Sequence, residues 1–86
     1  MVGTALVLVA LHGGAPVADA PSCVAAIGHA QAQVLVDRCL QVSPATHPPC
    51  NALNPCDLII DEIRRSCALL QGPQQPRFCA LYPKHS

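Results

Sequence analysis

Six cysteines, Cys23, Cys39, Cys50, Cys56, Cys67 and Cys79, follow an apolar leader that ends in Ala18-Asp19-Ala20. The combination constrains this chain more than any other feature. An even number of cysteines in a short chain behind an export signal reads as a disulfide framework. Cysteines committed to such staples are lost as nucleophiles and metal ligands. A small oxidised scaffold is therefore the starting expectation.

Val2 to Leu11 is a run of small and branched apolar side chains interrupted only by Gly3 and Thr4, followed by the turn-prone His12-Gly13-Gly14-Ala15-Pro16. Apolar core, breaker and small-x-small site, in that order, make a secretory signal peptide, with residues 1–20 removed after Ala20. The run of about ten residues falls well short of the roughly 20 that cross a bilayer as a helix. No Lys or Arg precedes it, so either the true start lies upstream or export relies on the amino terminus alone. The remaining residues, 21–86, form one domain. A chain of that size buries too little apolar surface to fold comfortably without staples. Phe78 and Tyr82 are its only aromatics and Trp is absent, so the core must be aliphatic. Three disulfides at roughly 2–4 kcal/mol each would dominate its stability. Zero formal net charge leaves no cationic footprint for nucleic acid or anionic lipid.

Ser22 caps a first helix expected over about residues 23–42, since no proline intervenes before Pro44. Two adjoining stripes follow helical spacing: Ala25, Gly28, Ala32, Leu35, Cys39 and Val42, beside Cys23, Ile27, Ala30 and Val34. The small residues Ala25, Gly28 and Ala32 would admit a close partner helix. Pro44, Pro48 and Pro49 then enforce a stiff connector. Asn54 as N-cap and Pro55 at the first helical position start a second helix, with Asp57 complementing its dipole. Cys56, Ile59, Ile60, Ile63, Cys67 and Leu70 line one face, and Asp57, Asp61, Arg64 and Arg65 the other, with Asp61 and Arg65 spaced to pair. Gly72-Pro73 stops the helix. The expected fold is all-α: an antiparallel helical hairpin, disulfide-stapled, with a Pro-rich connector and a C-terminal tail pinned through Cys79.

Cys23 and Cys39 stand about 24 Å apart along one helix, and Cys56 and Cys67 about 16 Å, whereas a disulfide needs Cα atoms within about 7 Å. Neither helix can bridge its own pair, which reduces the fifteen pairings open to six cysteines to ten. A continuous antiparallel hairpin favours Cys39 with Cys56, Cys23 with Cys67 and Cys50 with Cys79. A nested set, Cys23 with Cys79, Cys39 with Cys67 and Cys50 with Cys56, stays open beside it.

Candidate chemistry is sparse. His29, His47 and His85 could join cysteines around zinc or copper, but His47 to Cys50 is the nearest approach to the ligand spacing of a structural zinc site. Exposed histidines are the simpler reading, and neither metal nor cofactor is expected. There is no Cys-x-x-Cys for thiol exchange or haem attachment. Asp57, Asp61 and Glu62 read as a solvated helix face, and Ser22, Ser43 and Ser66 lack a nucleophile elbow. The chain is not expected to be an enzyme. Cys39 to Cys50 and Cys56 to Cys67 each enclose ten residues, but the prolines of the first spacer exclude the twin-helix design of mitochondrial intermembrane-space proteins.

The stretch Arg38-Cys39-Leu40 through Ser43-Pro44-Ala45-Thr46-His47-Pro48-Pro49-Cys50-Asn51, then Cys56, Asp61-Glu62-Ile63-Arg64, Cys67-Ala68-Leu69-Leu70 and Phe78-Cys79, resembles small uncharacterised six-cysteine proteins exported by proteobacteria. The likeness covers roughly Arg38 to Cys79, about half the chain. It implies a periplasmic or secreted location and no mechanism. The Cys-Cys and Cys-x-Cys pairs of plant lipid-transfer proteins and the paired terminal cysteines of saposins are both missing. The reading that follows is a protein-interaction module whose partner is another exported or envelope protein, met through Thr46, His47 and Asn51 of the connector or Asp61 and Arg64 of the second helix. A carrier of a small apolar ligand or lipid, and an inhibitor of a periplasmic or secreted hydrolase, are the alternatives.

Overall fold

The computed structural model describes residues 20–44 and 49–84; the signal-peptide segment expected over 1–20 therefore lies, but for Ala20, outside them. Three helices carry the fold: α1, Cys23–Ile27; α2, His29–Val42; and α3, Cys56–Leu69. Two 3-10 turns, Gly72–Gln74 and Arg77–Leu81, complete it. The architecture is all-α, a hairpin-like packing of α2 on α3 stapled by three disulfides.

The expected first helix is two helices. Ser22 caps α1 as anticipated, its Oγ accepting the Ala25 amide at 3.1 Å. Gly28 then interrupts the run with φ +91° and ψ 161°, a conformation essentially reserved for glycine. It closes α1 by donating its N–H to the Val24 carbonyl, and its own carbonyl accepts the Ala32 amide to open α2. The proposed reason for this glycine, close approach of a partner helix, is corrected: a Cβ at Gly28 would meet nothing within 4 Å. The backbone angle is what requires it.

That bend explains why both expected disulfide sets are wrong. The bridges are Cys23–Cys56, Cys39–Cys50 and Cys67–Cys79, with Cα separations of 4.4, 5.4 and 5.6 Å. A continuous helix over 23–42 would have carried Cys23 towards the end of the second helix. The turn at Gly28 instead brings it to the first turn of α3. Backbone hydrogen bonds from Cys23 N–H to the Asn54 carbonyl (2.7 Å) and from Val24 N–H to the Ala52 carbonyl (3.0 Å) lay the end of the connector along α1. The N-cap of α3 is Pro55, one residue later than the sequence suggests. Cys39–Cys50 folds the connector onto the last turn of α2, and Cys67–Cys79 holds the tail on α3.

The core is the seam between these elements. Cys23, Ala32, Cys39, Ile59 and Ile63 are wholly buried, with Val36, Val42, Cys50, Cys67, Cys79 and Tyr82 nearly so. Of the two stripes expected on the first helix, Ala32, Cys39 and Val42 of the first and Cys23 of the second are buried, while Ala25 and Gly28 of the first and Ile27, Ala30 and Val34 of the second are exposed. Ser43, at the end of α2, hydrogen-bonds Glu62 near the middle of α3, whereas Arg38, earlier in α2, reaches the tail that Cys67 anchors. Earlier positions of α2 thus meet later parts of the chain, the antiparallel sense of a hairpin. The Arg38 guanidinium lies 5.6 and 5.7 Å from the ring centroids of Phe78 and Tyr82 and donates to the Tyr82 hydroxyl at 2.7 Å. The two rings meet edge to face at 6.3 Å. Gln71 and Gln75 side-chain amides donate to the Ala68 and Cys67 carbonyls at the end of α3.

Trypsin under non-reducing conditions distinguishes these bridges from the hairpin-based pairing. Cleavage after Arg38, Arg64, Arg65, Arg77 and Lys84 should leave 1–38 joined to 39–64 and, separately, 66–77 joined to 78–84. Mass spectrometry finding 1–38 joined to 66–77 would restore the earlier set. Gly28→Ala should cost about 1–3 kcal/mol, since the strain remains whatever the space. In a domain this small, thermal circular dichroism would show a fall of at least about 4 °C in the midpoint.

Candidate functional site

The two outward-facing candidates of the second helix do come together. Asp61 and Arg64 share one face of α3 and pair at 3.5 Å. With Arg65, Ala68, Leu69 and Lys84 of the tail they line an open groove of about 370 Å³. Positions 61, 64, 65 and 68 recur at three, four and seven, so the groove runs along two turns of the helix. Its lining combines the apolar Ala68 and Leu69 with four charged residues. A smaller hollow of about 180 Å³, edged by Ala20, Pro21, Ala26, Pro55, Cys56 and Asp57, lies at the opposite end of α3.

The expected pairing of Asp61 with Arg65 is corrected. Arg65 binds Glu62, with Nη2 at 2.7 Å from Oε2 and Nε at 3.0 Å from Oε1, a two-pronged contact. Glu62 is consequently more than a solvated carboxylate. Its side chain is 11 % exposed, and it also accepts from the Ser66 hydroxyl at 3.2 Å and from the Ser43 hydroxyl. Four donors on one carboxylate favour its charged form. The Arg65 contact is the largest of them and, despite partial burial, the pKa is lowered from 4.5 to about 2. Glu62 thereby clamps the end of α2 to α3 and holds Arg65 upright beside the groove. Reciprocally, the same contact raises the Arg65 pKa.

The connector candidates do not join this groove. Thr46 and His47 lie outside the described residues. Asn51 is exposed and its carboxamide is used locally, Oδ1 accepting the Leu53 amide at 2.8 Å. Asn51 does not line the groove. Sequence reasoning missed Lys84, Leu69 and the organising role of Glu62. The spacing of Asp61, Arg64, Arg65 and Ala68 was a usable signal for α3. Nothing local marks Lys84, whose position depends on the Cys67–Cys79 bridge, nor the approach of Ser43 to Glu62.

All six cysteines are in disulfides. Among the described residues no three His, Cys, Asp or Glu side chains gather as a metal site, and His29 stands exposed at the start of α2. Nor does any helix among them have the length and apolarity to cross a membrane. A scan against family models, a search of curated proteins and a search of solved structures each find no match.

Because the folded pKa of Glu62 lies below its unfolded value, its stabilisation is complete above about pH 4.5 and disappears as pH falls towards 2. With Arg65 half-exposed and screened by solvent, the effect should be about 1–2 kcal/mol. Urea titrations should show Glu62→Gln less stable than the native chain at pH 7, with the gap closing by pH 2. A gap of constant size across that range would show that the carboxylate's charge is immaterial.

Proposed function

We propose that this is an exported, non-catalytic protein-interaction module that works in the periplasm or outside the cell. The observation that carries the reading is an interior filled by disulfides and short aliphatic side chains beneath a surface that leaves large apolar side chains in solvent. Ile27, Val34, Leu40, Leu53, Leu58, Leu69 and Leu81 are each 41–74 % exposed. A scaffold so small that commits its aliphatic residues outward has reason to meet another surface. A carrier instead needs an enclosed apolar chamber, whereas the hollow lined by Ala68 and Leu69 is open and shares its lining with four charged side chains.

Three disulfides suit an oxidising compartment. The apolar leader and the likeness to small exported proteobacterial proteins add the finer placement. Disulfide anchoring also keeps the binding surface rigid, so little ordering entropy opposes association. The partner in this reading is another exported or envelope protein.

Chemical cross-linking of the oxidised protein in its native envelope fraction should recover a protein joined to it through α3 or the connector near Asn51. Extraction of the purified protein with organic solvent should yield no stoichiometric lipid. A bound lipid, with no cross-linked protein, would replace the module by the carrier.

A further inference from the structure

We propose that the Cys23–Cys56 bridge is a thiol–disulfide exchange site, attacked at Cys56 Sγ by a dithiol of the Cys-x-x-Cys type, and that opening it releases α1 while the hairpin stays folded. Access separates this bridge from the others. Cys39, Cys50, Cys67 and Cys79 are buried and Cys23 is wholly so, whereas Cys56 is only half-buried and lines the open hollow of about 180 Å³ at the start of α3. An incoming sulfur therefore meets Cys56 before any other cysteine.

Helix position acts in the same direction. Cys56 is the first residue of the 14-residue α3, while Cys39 and Cys67 stand in the last turns of α2 and α3. A thiolate is stabilised at the amide end of a helix and destabilised at the carbonyl end. Cys56 is thus the better leaving thiolate, and reduction of its bridge is the least opposed of the three. Asp57, on the same lining, pulls the other way, but it is exposed and screened by salt.

In the exchange, one thiolate of the dithiol forms an S–S bond to Cys56 as the Cys23–Cys56 bond breaks, and Cys23 leaves as a thiolate that takes a proton from solvent. The dithiol's second thiolate then attacks the dithiol's own sulfur in the mixed disulfide and expels Cys56. Two electrons pass from the dithiol, which ends as a disulfide, to the bridge, which ends as two thiols. What loosens is local. With five residues, α1 is too short to hold a helix alone, and two backbone hydrogen bonds, from Cys23 and Val24, tie it to the connector. The Ser43–Glu62 and Arg38–Tyr82 contacts join α2 to α3 and the tail without using α1.

Equilibrating the native oxidised protein in graded mixtures of reduced and oxidised dithiothreitol, then alkylating and mapping it by mass spectrometry, reads the order of opening. Cys23 and Cys56 should be alkylated together, at a reduced-to-oxidised ratio roughly tenfold below that needed for either other bridge. Brief exposure to reduced glutathione should trap its mixed disulfide on Cys56 rather than on Cys23. With the bridge open, amide hydrogen exchange should quicken over residues 23–27 while helical circular dichroism persists, and Cys23→Ala combined with Cys56→Ala should reproduce that state. Earlier opening of Cys39–Cys50 or Cys67–Cys79, opening of all three at one ratio, or glutathione on Cys23 would overturn the exchange site. Global loss of helicity when the bridge opens would overturn the local release.

Discussion

The turn at Gly28 is the constraint on which the rest depends. One backbone angle outside the reach of ordinary L side chains separates α1 from α2 and permits Cys23 to meet Cys56. With that bridge in place, the end of the connector is held against α1 by two backbone hydrogen bonds, and the first turn of α3 is positioned. Closing a loop of 33 residues removes about 4 kcal/mol of unfolded-chain entropy on a simple chain model, against about 3 for each of the two shorter bridges. Five cysteines also stand among the eleven most buried core residues. The staples are therefore both cross-links and filling, which compensates for the scarcity of aromatic rings.

Those rings are spent on a single task. Phe78 and Tyr82 both belong to the tail and both pack about Arg38 of α2. The guanidinium gains a hydrogen bond and two ring contacts. The tail is consequently fixed to both long helices, to α3 by a covalent bridge and to α2 by this cluster. Lys84 sits beside the α3 groove because of that double attachment.

What could be read in advance follows a physical division. Several local signals were sound: the Ser22 cap, the apolar periodicity of Ile59, Ile63 and Cys67, and the oxidation of every cysteine. Long-range consequences were not. A glycine inside an apolar period is compatible both with close packing and with a backbone reversal, and only the neighbours of Gly28 decide between them. That single ambiguity propagated into all three disulfide assignments. The groove was half legible, since Asp61 and Arg64 declare themselves by helical spacing. Lys84 and the Ser43 contact to Glu62 depend on tertiary placement that no local pattern encodes.

The order of the bridges along the chain has a consequence for how the protein matures. Cys39–Cys50 is nested inside Cys23–Cys56, and Cys67–Cys79 follows both. No bridge interlaces with another. On a chain emerging amino terminus first, the inner loop can close as soon as residue 50 appears, the outer one at residue 56, and the last at residue 79. Cys39–Cys50 and Cys67–Cys79 each join cysteines consecutive in the sequence. Only Cys23 must wait past two other cysteines, Cys39 and Cys50, before its partner appears, so the outer bridge is the one closure at which a disulfide isomerase has work to do.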